Sequence, residues 1–418
     1  MKSKQMIVIV AIVVIAIAGI AAVAIVGDDS DDKKTAKTDY GSSMTVFGNA
    51  NMDSVIDESD IQYVKDTIAG NAEKTIFCDA NHDGEVNEKD VDYIRDLIDR
   101  KDGTKVWYVD GSGEEMSAEW PLNTFVVLSN SPQLMALAVG LDDSKIIGYT
   151  KADKIVFKSF EKAKLLSSSS LSDYTVMTSN GIPDAIITQG TSTGTVDASV
   201  RATYAKMGTD IICVAGMDGD KSASSALTLG FLVGGMEKSQ QYSKWCIDML
   251  ADIEKKISTV PDEKRKTALI WFGGHAAAGY DNNYTKALET AGGKTLADWT
   301  GYRVLNADNC TWVLNYDPEF MIRIFTTGYA STPESRQALF EKYGAMIDQM
   351  NAYKNEKFCL IDFTIPQTLR IAYMAEFMYP ELFGEGYADG WHQKLVDIYG
   401  IDYKVDGQFM FTFKDLKK

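Results

Sequence analysis

The stretch Met236–Val260, MEKSQQYSKWCIDMLADIEKKISTV, decides how the rest of the chain is read. It holds no Pro and no internal Gly. Tyr242, Trp245, Cys246, Met249, Leu250, Ile253 and Ile257 recur at intervals of three and four, which puts an apolar stripe on one face of a helix. At ~1.5 Å per residue, about 25 residues make a helix roughly 37 Å long, close to a domain diameter. Such a helix either lies along one core or joins two lobes and spaces them, and similar chain patterns on its two sides favour joining.

Before it, in residues 120–235, short β-rich runs alternate with helical segments. Thr124–Leu128 is a strand ending in Ser129-Asn130-Ser131-Pro132, and a helix follows over Gln133–Val139. Ile146–Tyr149 is a second strand, Ala185–Thr188 a third, running into the loop Gln189-Gly190-Thr191-Ser192. A helix through Val200–Lys206 leads to the buried run Asp210–Ala215. After the long helix, in residues 261–418, the order repeats. Thr267–Phe272 ends in Gly273-Gly274-His275, Asn282–Ala291 is a helix stopped by two glycines, Phe320–Phe325 runs into Thr326-Thr327-Gly328-Tyr329, and Lys357–Phe363 matches Asp210–Ala215. Apolar strands separated by helices give a parallel sheet covered on both faces, so the expected fold is α/β, with two Rossmann-like parallel-sheet lobes joined by one long helix.

In such sheets a ligand sits beyond the carboxyl ends of the strands, where loops and helix amino termini converge. The cleft between the lobes is therefore expected to be lined by Ser129, Asn130, Ser131, Gln189, Gly190, Thr191, Phe272, Gly274, His275, Trp312, Thr327, Tyr329 and Arg370. A loop cap or turn former is the plainer role for each one taken singly.

Lys and Arg total 42 against 59 Asp and Glu, a net charge of −17, which argues against a nucleic-acid backbone as partner. The five cysteines are scattered without a CxxC, mostly in apolar runs, where a free Cys is a small buried hydrophobe. Only three histidines occur, and no HExxH, GxSxG or phosphate loop appears, so no catalytic set is legible and a non-enzyme is expected.

Met6–Val26 is an uninterrupted run of apolar and small residues, long enough to cross a bilayer. Lys2 and Lys4 precede it and four aspartates follow within Asp28–Asp32, so the rest of the chain is expected on the outer face of the membrane. Residues 1–27 read as a single-pass anchor, or as a signal segment if Ala22-Val23-Ala24 is cleaved, and 28–44 as a solvated tether.

Residues 45–103 contain an internal repeat. The run Asn49 to Asp60 is echoed thirty positions on by Asp79 to Asp90, each leading into an amphipathic helix. Oxygen-bearing side chains stand at positions 1, 3, 5, 9 and 12 of both loops, the pattern that wraps a hard cation such as Ca²⁺, with a Gly wanted at position 6 for the sharp turn. The second loop offers Asp79, Asn81, Asp83, the Glu85 carbonyl and Asp90, with Gly84 at the turn. The first offers Asn49, Asn51, Asp53, the Val55 carbonyl and Asp60, with Asn49 in place of an acid and Ser54 in place of the Gly, so weaker binding is expected there. A pair of acidic helix caps holding no metal is the plainer alternative. Residues 101–119 read as a polar connector.

Two resemblances bear on this reading. With Asp at position 12 and one helix per loop, residues 45–103 resemble a dockerin, a small all-α, EF-hand-like calcium module that plugs into cohesin domains. The positions that read the cohesin fall on Glu58, Ser59, Glu88 and Lys89, which are not the hydroxyl pair of many cellulosomal dockerins, so a cohesin partner is only weakly implied and a calcium-stiffened spacer serves equally. The stretches FVVLSNSPQLMALAVGL (125–141), GIPDAIITQG (181–190), TALIWFGGHAAAGYDNNYTKALETAGG (267–293) and PQTLRIAYMAEFMYPELF (366–383) resemble, in their order, the class III solute-binding proteins. Those deliver ferric siderophores, haem or cobalamin to ABC importers. The resemblance implies that the joining helix keeps lobe motion small and that one acid per lobe engages the permease, here Asp173 and Asp281. The implied function is capture of a metal chelate for import. The alternative is a surface structural or adhesion protein using the calcium module for protein contacts.

Overall fold

The computed structural model describes residues 43–150, 156, 163–190, 196–219, 221–273, 275–276, 283–295, 303–304, 311–326 and 328–417. The apolar run at 6–26 lies outside them, and no helix among the described residues is long and apolar enough to cross a membrane.

The repeat folds as two loop–helix units, α1 (Glu58–Ile68) and α2 (Glu88–Ile98). Each starts on a capping box, Asp57 with Asp60 and Asn87 with Asp90, which satisfies amide groups that the first helical turn leaves unpaired. Ile61 and Val64 of α1 and Val91, Ile94 and Leu97 of α2 turn inward and are buried.

The expected connector is instead a hairpin, β1 (Lys105–Val109) and β2 (Glu115–Glu119), in register from Lys105↔Glu119 to Val109↔Glu115. Val106 and Tyr108 alternate inward and are fully buried. The turn is held by Asp110, whose carboxylate accepts from the Ser112 amide at 2.8 Å and the Glu114 amide at 3.2 Å.

The first lobe carries a five-stranded sheet in the order β5-β4-β3-β6-β7, from β3 (Phe125–Val127), β4 (Ile146–Tyr149), β5 (Lys164–Leu165), β6 (Ala185–Gln189) and β7 (Asp210–Val214). All neighbours are parallel, as expected. Its longer helices are α3 (Asn130–Ala138), α4 (Ala198–Lys206) and α5 (Ser222–Val233). The hairpin tip docks on the outer strand β7: the Gly111 amide donates to the Cys213 carbonyl at 2.8 Å, and Asp110 pairs with Arg201 of α4 at 2.9 Å. The open side of β7 is thereby covered rather than left as a template for another strand.

The second lobe's sheet runs β10-β9-β8-β11-β12-β13, from β8 (Ala268–Phe272), β9 (His275–Ala276), β10 (Arg303–Val304), β11 (Phe320–Phe325), β12 (Phe358–Asp362) and β13 (Met410–Phe411). Only β8, β11 and β12 are parallel, which corrects the expectation of a wholly parallel sheet. For β8 and β9 the reason is connection length: only two residues separate the strands in sequence, with Gly273 at φ +53°, and a connection that short can join only antiparallel strands.

The joining helix α6 (Met236–Ile257) buries every residue of the expected stripe. It packs on α3 and α5 of the first lobe and on α7 (Asn283–Thr290), α8 (Gln367–Met378) and α9 (Tyr387–Tyr399) of the second. Trp245 donates to the Trp391 carbonyl at 2.9 Å, and Tyr387 to Asp252 at 2.9 Å. The loop–helix module is equally fixed. Thr45 and Thr228 share a hydroxyl contact of 2.8 Å, Ser224 donates to the Ser43 carbonyl at 2.6 Å, and Arg100 donates to the Phe231 carbonyl at 2.6 Å while lying 4.1 Å over the Trp120 ring. One apolar cluster runs from Met44, Val64 and Leu97 through Phe125 and Tyr242 to Ile322 and Met374.

Candidate functional site

The carboxyl ends of β3, β6 and β7 face the second lobe at a seam. After β3 the chain turns at Ser129, φ +67°, whose amide donates to Thr150 Oγ1 at 2.7 Å; a non-glycine residue in this conformation marks a position held by its surroundings. Asn130 crosses the seam, its Nδ2 donating to the Thr364 carbonyl at 3.2 Å. A Cβ on Gly216, beyond β7, would stand 2.1 Å from Ser131 Oγ, so Ser131 is packed against the loop that follows β7.

From the second lobe, Phe272 at the end of β8 stacks on Tyr284 of α7, ring centres 4.7 Å apart. Next to it is Arg370 of α8, only 1% exposed. Its Nη2 lies 3.2 Å from Met217 Sδ, across the seam, and its guanidinium sits 5.0 Å from the Phe363 ring and 5.7 Å from Tyr284. Among the described residues, Nε and Nη1 lie outside hydrogen-bonding geometry with any acceptor and no carboxylate forms an ion pair with it, although the Tyr284 hydroxyl is close enough to act on its charge. Burial pushes its pKa down, and Tyr284 and Asp362 pull it back up. Asp362 is fully buried, its oxygens taken by the Gly328 amide at 2.9 Å and by the Thr364 amide and hydroxyl at 2.8 Å.

Arg323 of β11 is a second buried guanidinium without a carboxylate in ion-pair reach among the described residues. It donates to the Trp271 carbonyl at 3.1 Å and to the Ile324 carbonyl, lies 4.3 Å over Tyr343, and has an Nε without a partner among the described residues; burial lowers its pKa, while Tyr343 and Tyr284 raise it. Taking such charges out of water is costly unless something pairs with them. Chemically the seam offers an aromatic wall, hydroxyl and amide donors, and fixed positive charge.

The expected lining residues divide. Ser129, Asn130, Ser131, Phe272 and Arg370 stand around this seam. Gln189 is turned along its own sheet edge, donating to the Gly190 and Val214 carbonyls at 2.7 and 3.2 Å. Tyr329 is corrected from cleft wall to core: it is 3% exposed, meets His392 Nε2 at 2.8 Å, and packs edge-on to Tyr403 and Phe409. Trp312 packs on the second lobe's own cluster with Trp271 and Val313. His275 pairs through its backbone with Phe272 and Val304 in the β8–β9–β10 ribbon. Thr191, Gly274, Thr327 and Asp281 lie outside the described residues, and Asp173 is exposed ahead of the short helix Tyr174–Met177. Sequence reading missed Arg323, Tyr284, Phe363 and Met217, although one Arg in the otherwise apolar strand FMIRIF was a signal.

In the second loop of the repeat, Asp79 accepts from the amides of Asp83 and Gly84 at 3.0 and 2.9 Å, Asp83 from Glu85 at 3.0 Å, and Asp90 from Asn81 and Asn87 at 3.3 and 2.8 Å, with Gly84 at φ +93°. The first loop wraps likewise through Asp53 and Asp60, but Asn49 differs. Its Nδ2 donates to the Met44 and Asp53 carbonyls at 2.7 and 2.9 Å, and its buried Oδ1 has no hydrogen-bond partner among the described residues. Burial, with Asp53 and Asp57 nearby, pushes Asp60 up to about 6, and burial, with Asp79 nearby, also raises Asp90. No three Asp, Glu, His or Cys side chains converge as a ready metal cage among the described residues. The donor set, carboxylates with Asn oxygens and main-chain carbonyls, is that of a hard cation, so the second loop fits Ca²⁺ and the first fits it less well.

No family model and no curated protein matches the chain. Solved structures do. The TroA-like periplasmic binding protein FepB of Veillonella parvula superposes with a TM-score of 0.57 at 16% identity, covering 73% of this chain and 99% of its own. The chain shares this two-lobed fold. An ABC transporter solute-binding protein of Sulfurospirillum deleyianum matches at TM-score 0.54 and 16% identity, over 74% of this chain and 98% of that one. Helicobacter pylori CeuE, solved with Ni(II) bound, matches at TM-score 0.54 and 14% identity over 71% and 97%. The fold of these binding proteins accounts for about three quarters of the chain.

Proposed function

We propose that this protein is the extracytoplasmic binding component of an ABC importer and captures an anionic metal chelate at the seam between its lobes. The observation that carries the reading is Arg370, a guanidinium enclosed where the lobes meet and lacking a carboxylate partner among the described residues. A ligand bearing catecholate or carboxylate oxygens supplies the missing charge, and Phe272, Tyr284 and Phe363 offer it ring faces. The fold supports this, since it is shared with an ABC transporter solute-binding protein and a TroA-like periplasmic binding protein. Ferric siderophores and haem belong to the class; a neutral corrinoid does not use the charge.

In this reading residues 6–26 hold the protein at the outer face of the membrane, Asp173 and Asp281 dock on the permease, and the second repeat loop binds Ca²⁺ through Asp79, Asn81, Asp83, the Glu85 carbonyl and Asp90. Bound Ca²⁺ supplies positive charge that offsets the crowding of Asp79 and Asp90. Tryptophan-fluorescence titration against a ferric tris-catecholate, haemin and cyanocobalamin tests the import reading. Saturable one-to-one binding of an anionic member supports it, whereas a folded protein that binds none of the panel turns the assignment to the surface-interaction alternative.

A further inference from the structure

The second repeat loop and the ligand-facing edge of the first lobe are joined by an unbroken run of contacts. His82 stands between Asn81 and Asp83 in that loop, at φ +58°. Its ring lies flat on Trp107 of β1, centres 4.4 Å apart and planes 13° apart, and meets Phe47 edge-on at 4.8 Å. Its Nε2 is 3.2 Å from Glu115 Oε2 of β2, so one side chain grips both strands of the hairpin. At the other end, the Asp110 side chain is wholly enclosed and pairs with Arg201, which also donates to the Ile211 carbonyl at 3.1 Å and lies 3.2 Å from Cys213 Sγ. Gly190, at the end of β6, fits so closely that a Cβ would stand 2.9 Å from the Ser112 amide and 2.7 Å from Cys213 Cβ. On Gly111 a Cβ would stand 2.4 Å from the Ala215 amide.

We infer that the second loop and the hairpin are one positioning device for the first lobe's ligand edge, with His82 and Asp110 as its positioning residues. A cation held by the loop fixes His82, His82 fixes the hairpin, and the hairpin sets the backbone at Gly190 and at Ala215–Met217, the segment whose Met217 touches Arg370. The inference rests on the calcium reading of this loop. Its physical basis is that carboxylates gathered in one loop repel until a cation pairs them, which leaves the loop at the low-stability end of the fold and its neighbours free to open with it. Cation occupancy and ligand affinity are then linked, each raising the other.

Hydrogen exchange by mass spectrometry on the full-length chain, with CaCl₂ or with EGTA, tests this without knowledge of the cargo. Ca²⁺ is expected to slow exchange in 79–90 and also, by about threefold or more, in 105–119 and 210–216. His82→Asn tolerates the left-handed backbone but loses the ring; it keeps the slowing in 79–90 and loses it in the other two segments, and Trp107→Leu, which removes the stacking partner and leaves the loop's own residues unchanged, has the same effect. Slowing confined to 45–103 in the wild type, or transmitted unchanged in His82→Asn, overturns the inference while leaving the calcium reading intact. No slowing anywhere removes both.

Discussion

Arg370 separates a ligand-binding role from a structural one by its effect on the unliganded protein. A buried cation that holds the fold together destabilises it strongly when removed, whereas one kept for a ligand is a cost until the ligand arrives. Arg370→Met is therefore expected to leave the unliganded protein as stable as the wild type, or more stable by about 1–4 kcal/mol in thermal or urea unfolding. A loss of similar size assigns the residue to the core instead. Asp60 gives a second test. Its pKa is raised from 3.8 to about 6, so the native state holds a proton that the unfolded chain has lost between those values. Its contribution to stability is thus fully present below about 3.8 and lost as pH rises through about 6, on the order of 3 kcal/mol in all. Unfolding measured in EGTA should show that decline over pH 4–6, and Asp60→Asn should flatten it relative to the wild type. Arg370 could be singled out from the sequence because it is one of few basic residues that the chain order places near the cleft, in the helix that opens after Pro366. Arg323 left a signal too, one charge in the apolar run FMIRIF, but a run buried along its whole length reads as packing and gives that charge no role.

The repeat loops should differ in affinity. Asp79→Ala is expected to weaken Ca²⁺ binding by tenfold or more, on the order of 1.4 kcal/mol, and Asp53→Ala to change it little, as followed by calcium titration. The reverse ranking contradicts the reading that Asn49, turned to the Met44 and Asp53 carbonyls, spoils the first loop. Gly190→Ala tests the hairpin's seat: its methyl group would overlap Cys213 and the Ser112 backbone, for an expected loss of about 1–3 kcal/mol. The strands and the long helix were legible because each carries its own period, from the stripe at Tyr242 to Ile257 to the runs around Ile186, Ile211, Ile270 and Leu360. The hairpin at 105–119 was not. Its inward residues Val106 and Tyr108 pack on partners distant in sequence, and its glycine-rich turn reads as a flexible linker until Asp110 is seen beside Arg201. The antiparallel strands β9, β10 and β13 escaped for a related reason, each being two residues long.

The described residues share the two-lobed fold of those solved structures and carry a loop–helix module built onto one lobe rather than hung from it, since Arg100, Thr45 and the hairpin all anchor it. Delivery to a permease predicts that Asp281→Lys, produced at wild-type levels, lowers uptake in cells without changing chelate affinity, and that added salt weakens docking of the wild type. Unchanged transport would count against the assignment of that carboxylate. The lobe seam was foreseeable from chain order alone; which groups close on it was not, because Met217, Tyr284 and Phe363 converge only once both lobes are folded around α6. The most direct measurement is calorimetric titration of the wild type and Arg370→Met with a ferric tris-catecholate and with haemin. One-to-one binding of at least one of these by the wild type, weakened by about tenfold or more in the variant, is the predicted result. Equal affinity in the two proteins, or heat from neither chelate with a folded wild type, would contradict the account.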